Sequence, residues 1–380
     1  MSSSRVSFAA DVDFLRQHGD VLLLRASHGA CVAVSAKYQG RVMTSTVSPA
    51  GPSLGWVNRP VIAASAVGTA FDNYGGEDRF WLGPEGGQFA LFFAPGTAFE
   101  LEHWQTPHEL QEGTWEPSAV SDNSIEFSRV MRVNNHAGTG FELTVGRRIA
   151  VMDVQSVAKE LGVTPAAEVQ WVAFRSYNQV TNTSTTAWTE QAGLISIWSL
   201  GMFAPADDTW VIVPFEKAGQ GPIVSSDYFG ALPPERLRVD EASGVVTFLA
   251  DGKYRSKIGL SQSRSRPVAG SYTASEKRLT IIRYSVPQAP QPYVNSTWQV
   301  QEQPCAGDLF NSYNHGTSTP GQLAEFRFYE LESSSPGALL SPGETLRHEH
   351  QTYHFIGERP FLDAIAQQVL GVSLSVVPGP

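Results

Sequence analysis

The stretch Phe141-Glu-Leu-Thr-Val-Gly-Arg-Arg-Ile-Ala-Val151 shows the pattern that decides the fold. Apolar and polar residues alternate along it, which is typical of a β-strand with one buried face. Comparable runs, many of them rich in β-branched and aromatic residues, predict more than a dozen strands in all. They lie at residues 21–25, 31–36, 41–46, 88–93, 124–132, 141–151, 169–181, 194–202, 210–214, 245–249, 256–261, 279–285, 326–332 and 345–355.

Helices are scarce by the same criteria. Residues 7–18 form one predicted helix, with Ser7 as N-cap and Gly19 as its end. Residues 360–370 form a second, with a proline in the first turn and a glycine after the last residue. So many strands with so little helix predict an all-β sandwich of mostly antiparallel strands with a few short helices. Because neither a linker nor a repeat stands out, we expect one domain over residues 1–380, with two sheet layers about 10 Å apart.

Composition and charge narrow the class of partner. Apolar residues make up 42% and charged residues 17%, enough apolar material for a large core. The net charge of −10 disfavours nucleic acid, whose phosphates need a basic surface. Apolar runs fall short of the roughly 18–20 residues that span a bilayer, so a membrane partner is not expected. The first residues lack a signal-peptide pattern, which indicates a cytoplasmic protein, or an exported one whose signal has been removed.

The first candidate site is the glycine-rich stretch Asn73-Tyr-Gly-Gly-Glu-Asp-Arg-Phe-Trp-Leu-Gly-Pro-Glu-Gly-Gly87. Its glycines let the backbone turn sharply or approach a ligand closely. Glu77, Asp78 and Arg79 offer charged groups for sugar hydroxyls, and the planar guanidinium of Arg79 could also bind a carboxylate. Trp81 offers a flat apolar face on which a sugar ring can stack. The alternative is a twisted loop between strands whose charges are simply solvated.

The second candidate is the strand Glu325-Phe-Arg-Phe-Tyr-Glu-Leu-Glu332. Alternation places Glu330 and Glu332 on the same face as Phe326 and Phe328. Two carboxylates that are partly desolvated and close together raise each other's pKa, which suits a general acid or base. The alternative is a strand end that emerges into water and leaves both glutamates exposed.

The third candidate is the strand Leu346-Arg-His-Glu-His-Gln-Thr-Tyr-His-Phe355. A His-x-His pair such as His348 and His350 can share a divalent metal ion, with a third ligand from elsewhere, for example Glu77. No other feature calls for a cofactor. His350 could instead donate a hydrogen bond to a sugar, or the histidines could belong to a structural or solvated face.

The fourth candidate, residues 293–316, is rich in amides, hydroxyls and aromatic rings. Amides such as those of Asn311 and Asn314 both donate and accept, as sugar hydroxyls require. Asparagine and glycine are also common in turns, so a purely structural role for these residues agrees equally well with the sequence. A basic run at residues 253–257 could contact an acidic sugar, although a solvated strand edge is the alternative.

Several blocks carry a resemblance to a known family. They are Gly75-Gly-Glu-Asp-Arg-Phe-Trp81, Tyr293-Val-Asn-Ser-Thr-Trp298, Asn311-Ser-Tyr-Asn314, Glu330-Leu-Glu-Ser-Ser-Ser-Pro336, Ser341-Pro-Gly-Glu344 and His348-Glu-His350. Together they resemble an uncharacterised bacterial family, DUF6786, of the galactose mutarotase-like superfamily, over residues 8–370. The resemblance implies a β-supersandwich that handles a mono-, oligo- or polysaccharide.

The same resemblance implies roles for single residues. In aldose 1-epimerases a glutamate removes the proton of the anomeric hydroxyl while a histidine protonates the ring oxygen. The glutamate's context, Leu-Glu-Thr/Ser before a Pro-Gly-Glu turn, is similar to the residues around Glu332, which implies that Glu332 is the base and Glu330 its neighbour. Where the family has its histidine this chain has Trp198, so the acid would be His315, His350 or another group.

We therefore expect a carbohydrate-active enzyme with acid/base chemistry on a concave sheet face. Glu332 would act as base, and Arg79, Trp198 and Asn311 would position the sugar, with Arg175 and Asn314 as further contacts. The first alternative is a polysaccharide lyase or glycoside hydrolase, assisted by a metal at the histidine pair. The second is a non-catalytic carbohydrate-binding module. Nucleotide chemistry and serine hydrolysis are disfavoured, because the P-loop, dinucleotide and Gly-x-Ser-x-Gly patterns are missing.

Overall fold

The computed structural model describes residues 5–64, 70–318, 322 and 324–378. Strands dominate this part of the chain, and every paired strand runs antiparallel to its neighbour. The strands are β1 Leu22–Arg25, β2 Cys31–Ser35, β3 Arg41–Thr46, β4 Arg79–Gly83, β5 Pro117–Val120, β6 Ser124–Asn134, β7 Gly140–Val151, β8 Gln170–Asn182, β9 Ser196–Phe203, β10 Thr209–Pro214, β11 Leu237–Asp240, β12 Val245–Leu249, β13 Ser256–Ser261, β14 Val268–Thr273, β15 Arg278–Tyr284, β16 Asp308–Asn314, β17 Tyr329–Ser334 and β18 Thr345–Ile356. The predicted all-β class with mostly antiparallel strands is confirmed.

The strands form three sheets. The largest has ten strands in the order β11-β12-β10-β14-β15-β18-β8-β7-β6-β5, and a second has five in the order β13-β16-β17-β9-β4. A small third sheet contains β1, β2 and β3. The neighbours β4, β9 and β17 of the five-stranded sheet are far apart in sequence, and its strands come from residues 79–334, about two-thirds of the chain.

The core between the ten-stranded and five-stranded sheets fixes which side chains point outward. Tyr329 and Leu331 of β17 belong to one buried apolar cluster with Phe248 and Ile282 of the ten-stranded sheet. Side chains alternate along a strand, so the residues between them point the other way. We call this side of the five-stranded sheet, which faces away from the ten-stranded sheet, the outer face.

Five α-helices and four 3-10 helices of three residues each complete the described secondary structure. The α-helices are α1 Phe8–His18, α2 Arg59–Ala64, α3 His108–Gln111, α4 Val154–Leu161 and α5 Arg359–Val369. Both predicted helices are present, and the Ser7 side chain caps α1 by accepting from the Ala10 amide. Helices α4 and α5 contribute Leu161 and Leu362 to a second core, on the far side of the ten-stranded sheet. None of the helices in the described ranges is long and apolar enough to cross a bilayer.

Two predictions for the segment around β4 are wrong. Residues 88–93, predicted as a strand, contain only turns, bends and an isolated bridge. The glycine-rich stretch, predicted as a loop, contains strand β4 and pairs with β9. The turn before β4 does need glycine, because Gly75 has a φ of 82° and a Cβ there would meet the Trp56 carbonyl oxygen at 2.1 Å. The strands β5, β11, β14 and β16 were not predicted, although each pairs with a neighbouring strand.

Candidate functional site

The outer face carries a buried group of charged and aromatic side chains around Glu332. Glu332 of β17 pairs directly with Asn311 of β16, and opposed residues of antiparallel strands project from the same face. Its side chain is only 1% exposed. We call the group the outer-face cluster, and its members are Arg79, Glu85, Trp198, Lys257, Glu330 and Glu332.

The two carboxylate oxygens of Glu332 have different surroundings. Oε2 accepts hydrogen bonds from Trp198 Nε1 at 3.0 Å and from Lys257 Nζ at 3.2 Å. Oε1 is buried and has no hydrogen-bond partner among the described residues. A buried oxygen without a partner is costly, so this atom is suited to a ligand hydroxyl.

Glu330 is paired with Arg79. Arg79 Nη2 donates to Glu330 Oε1 at 3.0 Å, and its guanidinium carbon lies 3.9 Å from the centre of the Trp81 ring. Burial raises the pKa of Glu330 above its usual range, against the opposing charge of Arg79, and the neighbouring Glu332 adds to the increase. The cluster therefore holds one carboxyl that favours its protonated form beside another that contacts a lysine.

Glu85 and Lys257 complete the charges of the cluster. The sequence did not single out Glu85, and it indicated Lys257 only as part of the basic run at residues 253–257. Glu85 Oε1 accepts from Trp104 Nε1 at 3.0 Å, and burial raises its pKa. Lys257 Nζ lies 5.2 Å from the centre of the Trp198 ring. Burial lowers the pKa of Lys257, but the nearby carboxylates, Glu332 first, reverse this and leave it raised. Both residues were inside quoted stretches, yet only the strand order brings them to Glu332.

An aromatic wall borders the cluster on the β4 side. Trp81 and Trp198 are directly opposed on neighbouring strands, with ring centres 5.7 Å apart. Trp104 stacks on Phe92 and, at 6.4 Å, on Trp298, which is only half-buried. Sugars present apolar C–H faces beside polar hydroxyls, so rings next to buried charges suit a carbohydrate.

The histidines of β18 lie elsewhere, between the two large sheets. His348 Nε2 and His350 Nδ1 each contact Ser333 Oγ at 2.8 Å. Ser333 follows Glu332 in β17 and points inward, so the histidine pair is on the opposite side of the sheet from the outer-face cluster. His350 therefore does not lie with Glu332, contrary to our expectation of a shared site.

Glu77 and Asp78 also point into this interlayer region. Glu77 Oε1 accepts from the backbone and side chain of Ser45, both at 3.0 Å, and lies 3.7 Å from His354 Nε2. In the described ranges only Glu100, Glu102 and His103 bring three ligand atoms within 4.8 Å of one another, and Glu100 and Glu102 are exposed. A metal ion at His348 and His350 stays a prediction. Glu77, which was suggested as its third ligand, contacts Ser45 and His354 instead.

Three further predicted residues lie outside the cluster. Arg175 projects from the far surface of the ten-stranded sheet, where it contacts Tyr177 Oη at 2.8 Å and Glu349 at 3.2 Å.

Asn314 is buried at the inner side of β16 and donates to the Tyr254 carbonyl oxygen. His315 is half-buried and stacks on Phe328, and burial lowers its pKa to about 4. It is neutral at pH 7 and poorly suited to donate a proton.

The ion pair between Asp78 and Arg147 gives a stability prediction. Arg147 Nη2 donates to Asp78 Oδ1 at 2.8 Å, and both side chains are fully buried. Asp78→Asn should lower the free energy of unfolding by about 3 kcal/mol, because the arginine charge stays buried without its counter-ion. Urea unfolding measures this. Glu126→Gln, in the exposed pair with Arg148, is the control and should cost less than about 1 kcal/mol. Equal effects would contradict the prediction.

Comparison with known proteins identifies the family. The model of a family described as being of unknown function, DUF6786, matches residues 6–378. The chain belongs to DUF6786. A search of curated proteins finds no match for this DUF6786 member.

Solved structures similar to this DUF6786 member share its fold at low sequence identity. One is a protein from Escherichia coli K12, provisionally described as an aldose 1-epimerase, with a TM-score of 0.53, 14% identity, and coverage of 88% of this chain and 99% of that one. Another is a galactose mutarotase-like protein from Lactobacillus casei, with a TM-score of 0.51, 11% identity, and coverage of 88% and 100%. The fold is therefore galactose mutarotase-like.

Proposed function

We propose that this DUF6786 member performs acid/base chemistry on a sugar at the outer-face cluster, in the manner of an aldose 1-epimerase. The observation that carries the proposal is the carboxylate of Glu332, with one oxygen fixed by two donors and the other buried without a partner in the part of the chain that the structure describes. A general base needs this combination of a fixed orientation and an available lone pair.

The surrounding side chains suggest how a sugar would be held. Arg79 has two guanidinium nitrogens, Nε and Nη1, that are buried and without a protein acceptor in the described structure, so they can donate to sugar hydroxyls. Glu330, whose pKa is raised by burial, would donate or accept at a neighbouring hydroxyl. The wall formed by Trp81, Trp198 and Trp104 would stack on the apolar face of the ring. Glu332 Oε1 would then take the proton of the anomeric hydroxyl.

A second candidate function, glycoside hydrolysis, is favoured by the carboxyl pair itself. Glycosidases use one protonated carboxyl and one carboxylate on either side of the scissile bond. Glu330 and Glu332 are two residues apart on one strand face, which separates their Cα atoms by about 7 Å. This is of the same order as the carboxyl separation that such enzymes need.

The leading proposal is tested by measuring, with polarimetry, the rate of mutarotation of a panel of free aldoses. An epimerase speeds the approach to anomeric equilibrium when added in catalytic amounts. A glycosidase instead releases reducing ends from glycosides, and a lyase produces ultraviolet absorbance from acidic polysaccharides. A binding module gives a calorimetric heat of binding with these sugars but changes none of them. If wild-type protein does not speed mutarotation of any aldose of the panel, the leading proposal is wrong.

A further inference from the structure

A segment without regular strands runs along the free edge of the five-stranded sheet. Residues 223–230 run alongside β13. The Ser225 amide donates to the Gly259 carbonyl oxygen at 2.8 Å, and the Gly259 amide donates to the Ser225 carbonyl oxygen at 2.9 Å. These two hydrogen bonds fix the segment to the sheet edge at one point. Three residues later the chain places Tyr228 over the outer face.

Three polar side-chain atoms meet above Gly259. Asp308 Oδ2, Tyr228 Oη and Asn311 Nδ2 all lie within 2.6 Å of the position that a Cβ atom would take there. Tyr228 Oη donates to Asp308, and Asn311 Nδ2 donates to Tyr228 Oη at 3.1 Å. Only glycine leaves room for this arrangement, so the missing side chain of Gly259 is what makes the polar group possible.

This group is next to Glu332, on the side opposite the aromatic wall. Asn311 is the direct cross-strand neighbour of Glu332. Lys257, which contacts Glu332 Oε2, has its Nζ 5.6 Å from the centre of the Tyr228 ring. A sugar above β17 would therefore lie between the aromatic rings of β4 and β9 and the polar group of β13 and β16.

We propose that Tyr228 and Asp308 are the acid half of the reaction for which Glu332 is the base, a role that rests on the proposed function. Glu332 takes the proton of the anomeric hydroxyl, and the O–H electron pair forms the carbonyl as the bond from C1 to the ring oxygen breaks. The ring oxygen takes the Tyr228 hydroxyl proton, and Tyr228 regains one from the Asp308 carboxyl. Ring closure on the other face of the carbonyl reverses these transfers and restores all three groups.

The surroundings of Asp308 agree with a proton donor. Burial raises its pKa to about 6, against the hydrogen bond from Tyr228 and the charge of Lys257, while Asp227 adds to the increase. A substantial fraction of the Asp308 carboxyl is therefore protonated near pH 6. The phenol stays protonated, because burial and Asp308 raise the pKa of Tyr228 well above its usual value.

Polarimetric kinetics across pH test the proposal. Tyr228→Phe should lower kcat at least tenfold and change KM less than threefold, because it removes the proton but keeps the ring. Wild type should show a decline in kcat/KM as the pH rises through about 6. Asp308→Asn should also lower kcat, and should abolish that decline. Tyr177→Phe, the same change on the far surface of the ten-stranded sheet, is the matched control and should behave as wild type.

Each result decides the matter. If folded Tyr228→Phe and Asp308→Asn proteins keep the wild-type rate and pH profile, the acid role is wrong while the proposed function stands. A rise in KM alone would assign Tyr228 to binding and also overturn the acid role. If wild type itself does not speed mutarotation of any aldose, the proposed function and the acid role are both wrong.

Discussion

Glu332→Gln should lower kcat of the sugar reaction by about 10²–10⁴-fold, the usual effect of removing a general base. Glutamine has nearly the same shape and stays within reach of Lys257 and Trp198, so the fold and the sugar contacts persist. Neither the amide oxygen nor the amide nitrogen of glutamine can act as a base toward the anomeric hydroxyl. The loss should therefore appear in kcat, with KM changed little.

The control for this variant is Glu241→Gln, on an exposed turn, which should leave kcat unchanged. Calorimetry on both variants separates loss of chemistry from loss of binding. A Glu332→Gln protein that is folded, binds sugar and keeps its full rate would show that Glu332 is not the base. Glu330→Gln would then be the next variant to measure, because Glu330 is the other carboxyl on this face of β17.

The second large effect concerns stability in acid. His348, His350 and His354 are buried between the sheets, and burial lowers all three pKa values, that of His348 to about 3. The unfolded chain binds protons at histidine below about pH 6.5 while the folded protein does not, so stability falls as the pH decreases from about 6.5 toward 3. For His348 alone the full loss is roughly 5 kcal/mol, comparable to the total stability of many domains.

Urea unfolding between pH 8 and pH 4 measures this effect. Wild type should lose stability relative to His348→Gln as the pH falls below about 6.5. His108→Gln, at an exposed histidine, is the control and should follow wild type. Asp308, Glu330 and Glu85 act in the opposite sense, because burial raises their pKa values and so gives stability at low pH that is lost as the pH rises. The comparison of variants removes these contributions. Parallel curves for wild type and His348→Gln would contradict the prediction.

Alternation along a strand explains which parts of the site could be predicted. Glu330 and Glu332 share a face because the strand period of two is a property of the backbone. The same rule placed His348 and His350 together correctly. It could not say which way they point, because β18 has a sheet or helices packed on both sides.

Strand order explains what could not be predicted. Lys257 and Glu85 reach Glu332 because β13 and β4 occupy the two edges of one five-stranded sheet. No local pattern encodes that order, which depends on how distant segments pack. The meeting of Tyr228 and Asp308, 80 positions apart in sequence, is of the same kind. Resemblance to a family supplied the fold but not these contacts.

The order of strands in the five-stranded sheet also has a consequence for biosynthesis. Arg79 and Glu330 are separated by 251 positions, and β17 lies between β16 and β9. A ribosome that has made the first 300 residues has released every predicted sugar-contacting ring but neither carboxyl of β17. The nascent chain therefore has no working centre until its last fifth emerges. Closing such distant contacts is slow, so recovery of turnover should be among the final events of renaturation.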